Sequence, residues 1–348
     1  MDNDDTAAWD PAVWRGPAMA RSRDWLYNLT TDDVAEIEAA ISALRGRDML
    51  EVTRADFPLP RFGGILRDIA RELIEGRGFV LLRGLPVEAW PRAKAALAYW
   101  GIARYFGDPV SQNALGHLLG HVKDIGKDPQ DPVTRIYQTR HRQPYHVDSC
   151  DIVGLLCLRK SISGGASRIV SSTTLYHEIT RRRPDLAAVL AEPFYTDRKG
   201  EIPEGKGPFY EMPVFHDHGG RITVYYVRDF IEAAQRMAEV PRLTALQIEA
   251  MDLLDELAED PEFHLEIAFE PGDMQFLHNH QILHARTAYE DHAELALRRH
   301  LLRLWLSAPE GRELPPAYAE RYGDIALGGL RGGIMVPGVR LSAPLEVD

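Results

Sequence analysis

Apolar positions recur every three or four residues in several stretches before residue 107, then every second residue or in short runs after residue 135. The first spacing predicts a helix from about Thr31 to near Gly46, with Thr30 and Asp33 placed to form a capping box. Leu66, Ile69, Ala70, Leu73 and Ile74 mark a second helix, stopped by Gly76 and Gly78, and Phe79-Val80-Leu81-Leu82 then reads as a strand. A third helix runs from Pro91 to about Phe106 and gives way to a loop-rich stretch from Asp108 to Gln130. Residues 1–50 thus read as an N-terminal arm, with Pro11 and Pro17 around Trp14, followed by a helix.

Beyond Arg135 the period shortens. Strands are expected at Ile136 to Thr139, Val153 to Leu158, Ser167 to Ser171, Ile222 to Val227, Leu265 to Phe269, Met274 to Leu277 and Leu301 to Leu306. Helical stretches interrupt them at Thr174 to about Leu190, broken by Pro184, and at Leu246 to Ala258, where Thr244 and Gln247 suit a second capping box. Short strands separated by Gly, Pro and Asp turns point to a sandwich or barrel, so the fold class expected is mainly β with flanking helices. No repeat of fixed period is visible.

Composition narrows the partners. A chain of 348 residues with 45% hydrophobic and 26% charged residues is globular, and none of its apolar runs approaches the length of a membrane span. The net charge of -12 repels a polyanion, so nucleic acid is not an expected partner and a small molecule is. Cys150 and Cys157 are too few for a disulfide framework or a thiolate zinc site. The acidic start, Met1 to Asp5, lacks the basic and then apolar pattern of an export signal, which makes the cytoplasm the expected compartment. Assembly into a homo-oligomer is left open.

The chemistry concentrates in two places. In the extended run Tyr145-His146-Val147-Asp148, His146 and Asp148 project on the same face and can offer an imidazole and a carboxylate to a divalent metal. Far downstream come Gly272-Asp273, the histidines His278, His280 and His284, and the basic run Arg298-Arg299-His300-Leu301-Leu302-Arg303. A third ligand from that region would complete the two-histidine, one-carboxylate set of non-haem iron oxygenases. By spacing alone, His280 competes with His284.

His146-x-Asp148, the Gly164-Gly165-Ala166-Ser167 turn before a strand, Gly272-Asp273, His284 and the Arg299/Arg303 pair occur in one order between about Gly78 and Trp305. In that order the sequence resembles the taurine-dioxygenase-like branch, TauD/TfdA, of the Fe(II)/2-oxoglutarate-dependent oxygenases. The resemblance implies a double-stranded β-helix, or jelly-roll, core spanning 135–306 within a single oxygenase domain over 1–348, with a Pro/Gly-rich C-terminal extension at 309–348. It implies that His146, Asp148 and His284 hold Fe(II), and that Arg299 meets the far carboxylate of 2-oxoglutarate. The rigid fork of a guanidinium suits that carboxylate in a way an ammonium does not. Ser167 matches a hydroxyl position near the same carboxylate, where the family often has threonine.

The activity implied is oxidation of a substrate C–H bond by O2, coupled to decarboxylation of 2-oxoglutarate to succinate and CO2. Hydroxylation and desaturation or cyclisation are equally open. Arg303 shares the parity of Arg299 and is expected to contact an anionic group of the substrate, against the alternatives of a second arm on 2-oxoglutarate or a pairing with Asp273. Asn113 in the loop, Tyr137 and Thr139 on the strand before the ligands, and Asn279 complete the expected substrate contacts. Asp151, of opposite parity to Asp148, is expected to make a structural hydrogen bond, and Arg286 to pair with a nearby acid. His117, His121, His141, His216 and His218 read as surface or loop residues. Two other classes remain to be weighed: a non-catalytic binding protein on the same fold, and a metal-dependent hydrolase or isomerase using the same ligands. Retention of the full triad counts against the first, and Arg299 against the second, because a hydrolase needs no second anion site.

Overall fold

The computed structural model describes residues 10–128, 134–334 and 337–347; the acidic start and the last residues of the expected 108–130 loop lie outside them. Two sheets face each other. The larger has seven strands, in the order Leu26–Asn28, Phe79–Arg83, Met274–His278, Ile152–Arg159, His300–Ser307 and Asp108–Val110, with Leu119–Val122 also pairing to His300–Ser307. All its pairings are antiparallel except the first. The smaller sheet runs Leu265–Ile267, Ser167–Ser171, Ile282–Arg286, Gln143–His146, antiparallel throughout.

Both faces of each sheet are covered, which is why its strands read as near-continuous apolar runs. In His300–Ser307 every residue is buried. Leu302, Leu304 and Leu306 pack outward under the helices Thr31–Ala43, Phe62–Glu75 and Arg92–Ala103, while Leu301 and Trp305 point between the sheets to meet Ile169, Leu265 and Ile282. The outer face of the smaller sheet, Val170, Leu283 and Ala285, lies under Ser172–Arg182, Pro184–Leu190 and Ala245–Glu259. Both expected capping boxes form, at Thr30/Asp33 and Thr244/Gln247. Pro184 starts a new helix at its first position, where its missing N–H costs nothing.

Three expectations need correction. Helices occupy at least as much chain as strands, so the molecule is mixed rather than mainly β. The larger sheet recruits strands from residues 26–122, so its core is wider than 135–306. Ile136–Gln138 is a 3-10 turn and not a strand, with Thr139 donating its hydroxyl back to the Ile136 carbonyl at 2.9 Å. Local side-chain-to-backbone bonding of this kind competes with extended structure. No helix among the described residues is long and apolar enough to cross a membrane.

Candidate active site

The smaller sheet brings the ligand candidates together by register. His146 ends the strand Gln143–His146 and lies directly opposite His284 on Ile282–Arg286. Asp148 follows His146 by two residues. Its carboxylate oxygens lie 3.8 Å from His146 Nε2 and 3.9 Å from His284 Nε2, and the three ligand atoms fall within 4.8 Å of one another. Among the described residues this is the one such cluster. His280 is excluded from it, because its Nε2 is held 2.8 Å from the buried Asp151 carboxylate.

Each ligand is oriented by neighbours. His146 Nδ1–H donates to the Pro144 carbonyl at 2.9 Å, leaving Nε2 with its lone pair, and the Gln143 amide caps that lone pair at 2.9 Å. Burial lowers the His284 pKa to about 3, so its imidazole is neutral and able to ligate. Burial opposes the Asp148 charge, but Arg303, both imidazoles and the Trp305 indole N–H outweigh it and hold the carboxyl below its ordinary range. The indole donates to Asp148 Oδ2 at 2.8 Å. Asn279 Oδ1 accepts the Asp148 backbone N–H at 3.2 Å.

Below the cluster is an inner chamber walled by Val122, Val153, Leu155, Phe269 and Leu301, with Arg299, Arg286 and Ser167 among its polar lining. Arg299 is 3% exposed and no acid pairs with its guanidinium among the described residues. Nη2 donates to the Gly165 carbonyl at 3.1 Å, Nη1 has no partner, and the ring of Tyr289 lies 5.2 Å from the guanidinium. Gly165 has to be glycine: it sits at φ +72°, and a Cβ there would lie 2.9 Å from Arg299 Nε. Arg286 was expected beside an acid. Instead it donates to the carbonyls of Thr139 and His141, and its Nε and Nη1 are unpartnered. Burial lowers both guanidinium pKa values, Arg286 to about 10. Ser167 Oγ donates to Gln275 Oε1 at 2.9 Å, tying the two sheets together.

Above the cluster an outer chamber of about 1070 Å³, part of it open to solvent, is lined by Asn113, Arg135, Tyr137, Lys199, Glu201, Tyr225, Arg303 and Arg321 among others. Arg303 lines both chambers, 3.4 Å from Asp148 Oδ2, stacked 4.7 Å from the Tyr137 ring. The Gln112 amide fixes it, accepting from Arg303 Nε at 2.8 Å and donating to the Arg303 carbonyl. Gly120 makes room for that amide, since a Cβ there would lie 2.2 Å from Gln112 Oε1.

His146, Asp148, His284, Ser167, Arg299, Arg303 and Tyr137 therefore all line the inner chamber. Thr139 does not join them. It is 2% exposed and spends its polar groups on the Ile136 carbonyl and on Arg286. Asn279, fully buried, bonds Asp148 N–H and Cys150 Sγ instead of reaching a chamber. Asn113 lines the outer chamber, but its Oδ1 is taken by the Leu115 and His117 backbone. Asp273 is bridged by Arg83 and not by Arg303. Asp151 makes its expected buried bonds, to His280, Arg331 and the Ala308 N–H. His121, His216 and His218 lie in strands and not loops. Trp305 and Arg321 went unseen in the sequence, because Asp148 and the outer chamber that they reach are built from residues distant along the chain, and Gln143 was missed although His146 follows it by three residues.

Residues 43–305 match the model of the taurine catabolism dioxygenase TauD, TfdA family. The chain is 31% identical over 312 residues to FR-33289 synthase of Streptomyces rubellomurinus, covering 87% of this chain and 91% of that one. It is 27% identical over 198 residues to a uridine-5'-phosphate dioxygenase of Amycolatopsis, covering 53% and 68%. The fold is similar to that of asparagine oxygenase, solved with Fe(II), 3-hydroxyasparagine and succinate, with a TM-score of 0.63 at 16% identity over 81% of this chain and 93% of that one. With its metal-ligand cluster and the match over most of its length, the chain belongs to the TauD/TfdA family and thereby to the Fe(II)/2-oxoglutarate-dependent dioxygenases.

Proposed function

We propose that the protein oxidises a C–H bond of a small organic molecule carrying an anionic group, by hydroxylation or a related desaturation or cyclisation, with release of succinate and CO2. The observation that carries this reading is Arg299. A buried guanidinium with an unpartnered Nη1, at the inner end of the chamber that starts at the His146/Asp148/His284 cluster, calls for an anion, and 2-oxoglutarate supplies a carboxylate at each end. A hydrolase would leave that cation unused, and a pure binding protein would have no need of the complete ligand set. We read the two sheets as a double-stranded β-helix and the whole of 1–348 as one domain.

Fe(II) with 2-oxoglutarate and O2 supplies the oxidising equivalent when bound. The chain's own residues do the rest. His146 turns its Nε2 to the metal position while Nδ1 is bonded to Pro144, burial keeps the His284 imidazole neutral, and Asp148 stays charged beside Arg303 and Trp305. Arg299, with Ser167 and Arg286 beside it, orients the cosubstrate by its far carboxylate, leaving the outer chamber to the substrate. Val122, Val153, Leu155, Phe269 and Leu301 give the inner chamber an apolar wall, beside which a polar contact is stronger than in water. Arg303, at the junction, is the reader of the substrate's anion; the uridine-5'-phosphate dioxygenase is a relative whose name specifies an anionic substrate.

The test follows succinate and O2 consumption against a panel of small acids, in wild type and in Arg303→Gln. Substrate binding should weaken in the variant while 2-oxoglutarate binding holds, and cosubstrate decarboxylation should run ahead of product formation. Weakened 2-oxoglutarate binding with unchanged substrate binding would remove the substrate role from Arg303.

A further inference from the structure

The outer chamber holds more positive charge than its own acids answer. Arg135, Lys199, Arg228, Arg303 and Arg321 line it, against Asp148, Glu201 and Asp229. Arg228 is answered from its own side by Glu232, Asp252 and Asp255, each at 2.7 Å. Arg135 pairs with Glu201. Asp148 belongs to the metal cluster, so Arg303 cannot count it as a private counter-ion.

That leaves Arg321. Its Nη1 donates to the Gly333 carbonyl at 2.9 Å, and among the described residues no carboxylate pairs with it. Lys199, in a turn at φ +50°, makes no ion pair among the described residues; burial pulls its ammonium pKa down, with the Asp197 and Asp229 charges opposing. Arg303, Arg321 and Lys199 all line this one chamber.

Arg321 lies in the C-terminal segment, beyond the matched residues 43–305, and it is held firmly there. The segment is pinned by Arg331, 1% exposed, on the buried Asp151, and by Gly333 N–H to the Ser149 carbonyl and Ile334 N–H to the Ser111 carbonyl, both at 2.7 Å. Ser149 and Ile334 themselves line the chamber. A guanidinium fixed this way is pre-organised for a ligand and loses little freedom on binding one.

Taking the oxygenase reading above as its basis, we propose that Arg321, with Arg303 and Lys199, binds a doubly charged tetrahedral group on the substrate, a phosphate monoester or a phosphonate. The shape follows from the number of cations. One guanidinium fork fills both oxygens of a carboxylate, which would strand the other two cations in a partly buried wall. Arg303 comes from the strand His300–Ser307, Arg321 from the short helix Ala319–Tyr322 and Lys199 from the loop after Pro193–Asp197, so three separate elements each bring one cation to the chamber, one for each oxygen of a tetrahedral group.

Calorimetry on the full-length protein, anaerobic and with Fe(II) and 2-oxoglutarate present so that the inner arginines are occupied, tests this with four probes: methylphosphonate, methyl phosphate, methanesulfonate and acetate. At a pH where both phosphorus probes are dianions, the tighter of them should bind at least about tenfold more tightly than methanesulfonate or acetate. Which phosphorus probe leads tells the ester from the phosphonate. Arg321→Gln should abolish the preference, Arg321→Lys keep part of it, and Lys199→Gln weaken it about threefold. Equal binding of methanesulfonate, or dianion binding untouched in both Arg321→Gln and Lys199→Gln, overturns the proposal. Should Arg321→Gln fail to fold, Lys199→Gln and Arg321→Lys carry the decision. Failure of the wild type to bind 2-oxoglutarate in the same samples would strike at the oxygenase reading, which keeps the two failures apart.

Discussion

His146 and His284 are cross-strand partners, their rings 4.2 Å apart, on the antiparallel strands Gln143–His146 and Ile282–Arg286. Register therefore selects the distal ligand. A one-residue slip would turn His284 to the opposite face of the sheet, and the helices that cover that face at Leu283 and Ala285 leave no room for the slip.

Metal binding follows that choice. His284→Ala should lose stoichiometric Fe(II) and all 2-oxoglutarate-dependent succinate formation while its circular dichroism stays that of the wild type. His280→Ala should keep the metal and lose stability, because Asp151 forfeits one of its buried partners. Metal analysis of the two purified variants decides the matter, and iron retained by His284→Ala but lost from His280→Ala would reverse the assignment.

Cosubstrate affinity should depend on Arg299 far more than on Ser167. Arg299→Leu leaves a carboxylate without its cation, a cost on the order of 3 kcal/mol and so more than about a hundredfold in the KM for 2-oxoglutarate. Ser167→Ala removes one hydroxyl, worth about 1 kcal/mol, and Ser167 already spends it on Gln275. Unchanged 2-oxoglutarate kinetics in Arg299→Leu would reduce that residue to a packing role on Tyr289.

The parts of this site that were legible in the sequence are those encoded within a few residues. His146-x-Asp148 shares a face by strand parity, the capping boxes are three-residue patterns, and the glycine turn before Ser167 announces itself. The parity argument for Arg299 and Arg303 reached the right outcome, although Arg299 precedes the strand and the register shifts between His300 and Leu301. What could not be read is what depends on contact across the fold. Thr139 turned inward because a 3-10 turn satisfied its hydroxyl locally, and Asn279 because Asp148 and Cys150 came to it from more than a hundred residues away. The C-terminal segment read as a Pro/Gly-rich extension, since nothing local to Arg331 or Arg321 betrays the buried aspartate or the chamber each one reaches.

The Asp151–Arg331 pair should be a main fastening of that segment. Both side chains are almost fully buried, and Arg331 also donates to the Arg312 and Ile325 carbonyls. Arg331→Met would strand a buried carboxylate at a cost of about 3–5 kcal/mol, and residues 309–334 should become sensitive to limited proteolysis. Thermal melting and proteolysis of the variant check this together. A melting temperature and cleavage pattern like the wild type's would mean that the backbone bonds at Gly333 and Ile334 hold the segment alone.

Acid should destabilise the fold through histidines that are buried neutral. His216 packs 5.2 Å from the Tyr318 ring with its Nε2 unpartnered; burial lowers its pKa to about 4, with His218 adding to the depression and a bond to Pro213 opposing it. His300 is lowered to about 2, by burial and then by its neighbour His121, and burial depresses His278 as well. The sign is fixed by which state binds the proton. Between pH 4 and 6.5 the unfolded chain protonates His216 and the folded chain does not, so stability falls as pH drops through that window and is unaffected by this group above it. His216→Phe keeps a ring against Tyr318 and removes the titration. Its unfolding free energy, measured by urea denaturation from pH 7 to pH 4, should decline less steeply than that of the wild type, with the gap opening only below pH 6.5. Parallel curves for the two proteins across that range would show that His216 is solvated enough to protonate in place, and would leave His300 and His278 to account for any acid sensitivity.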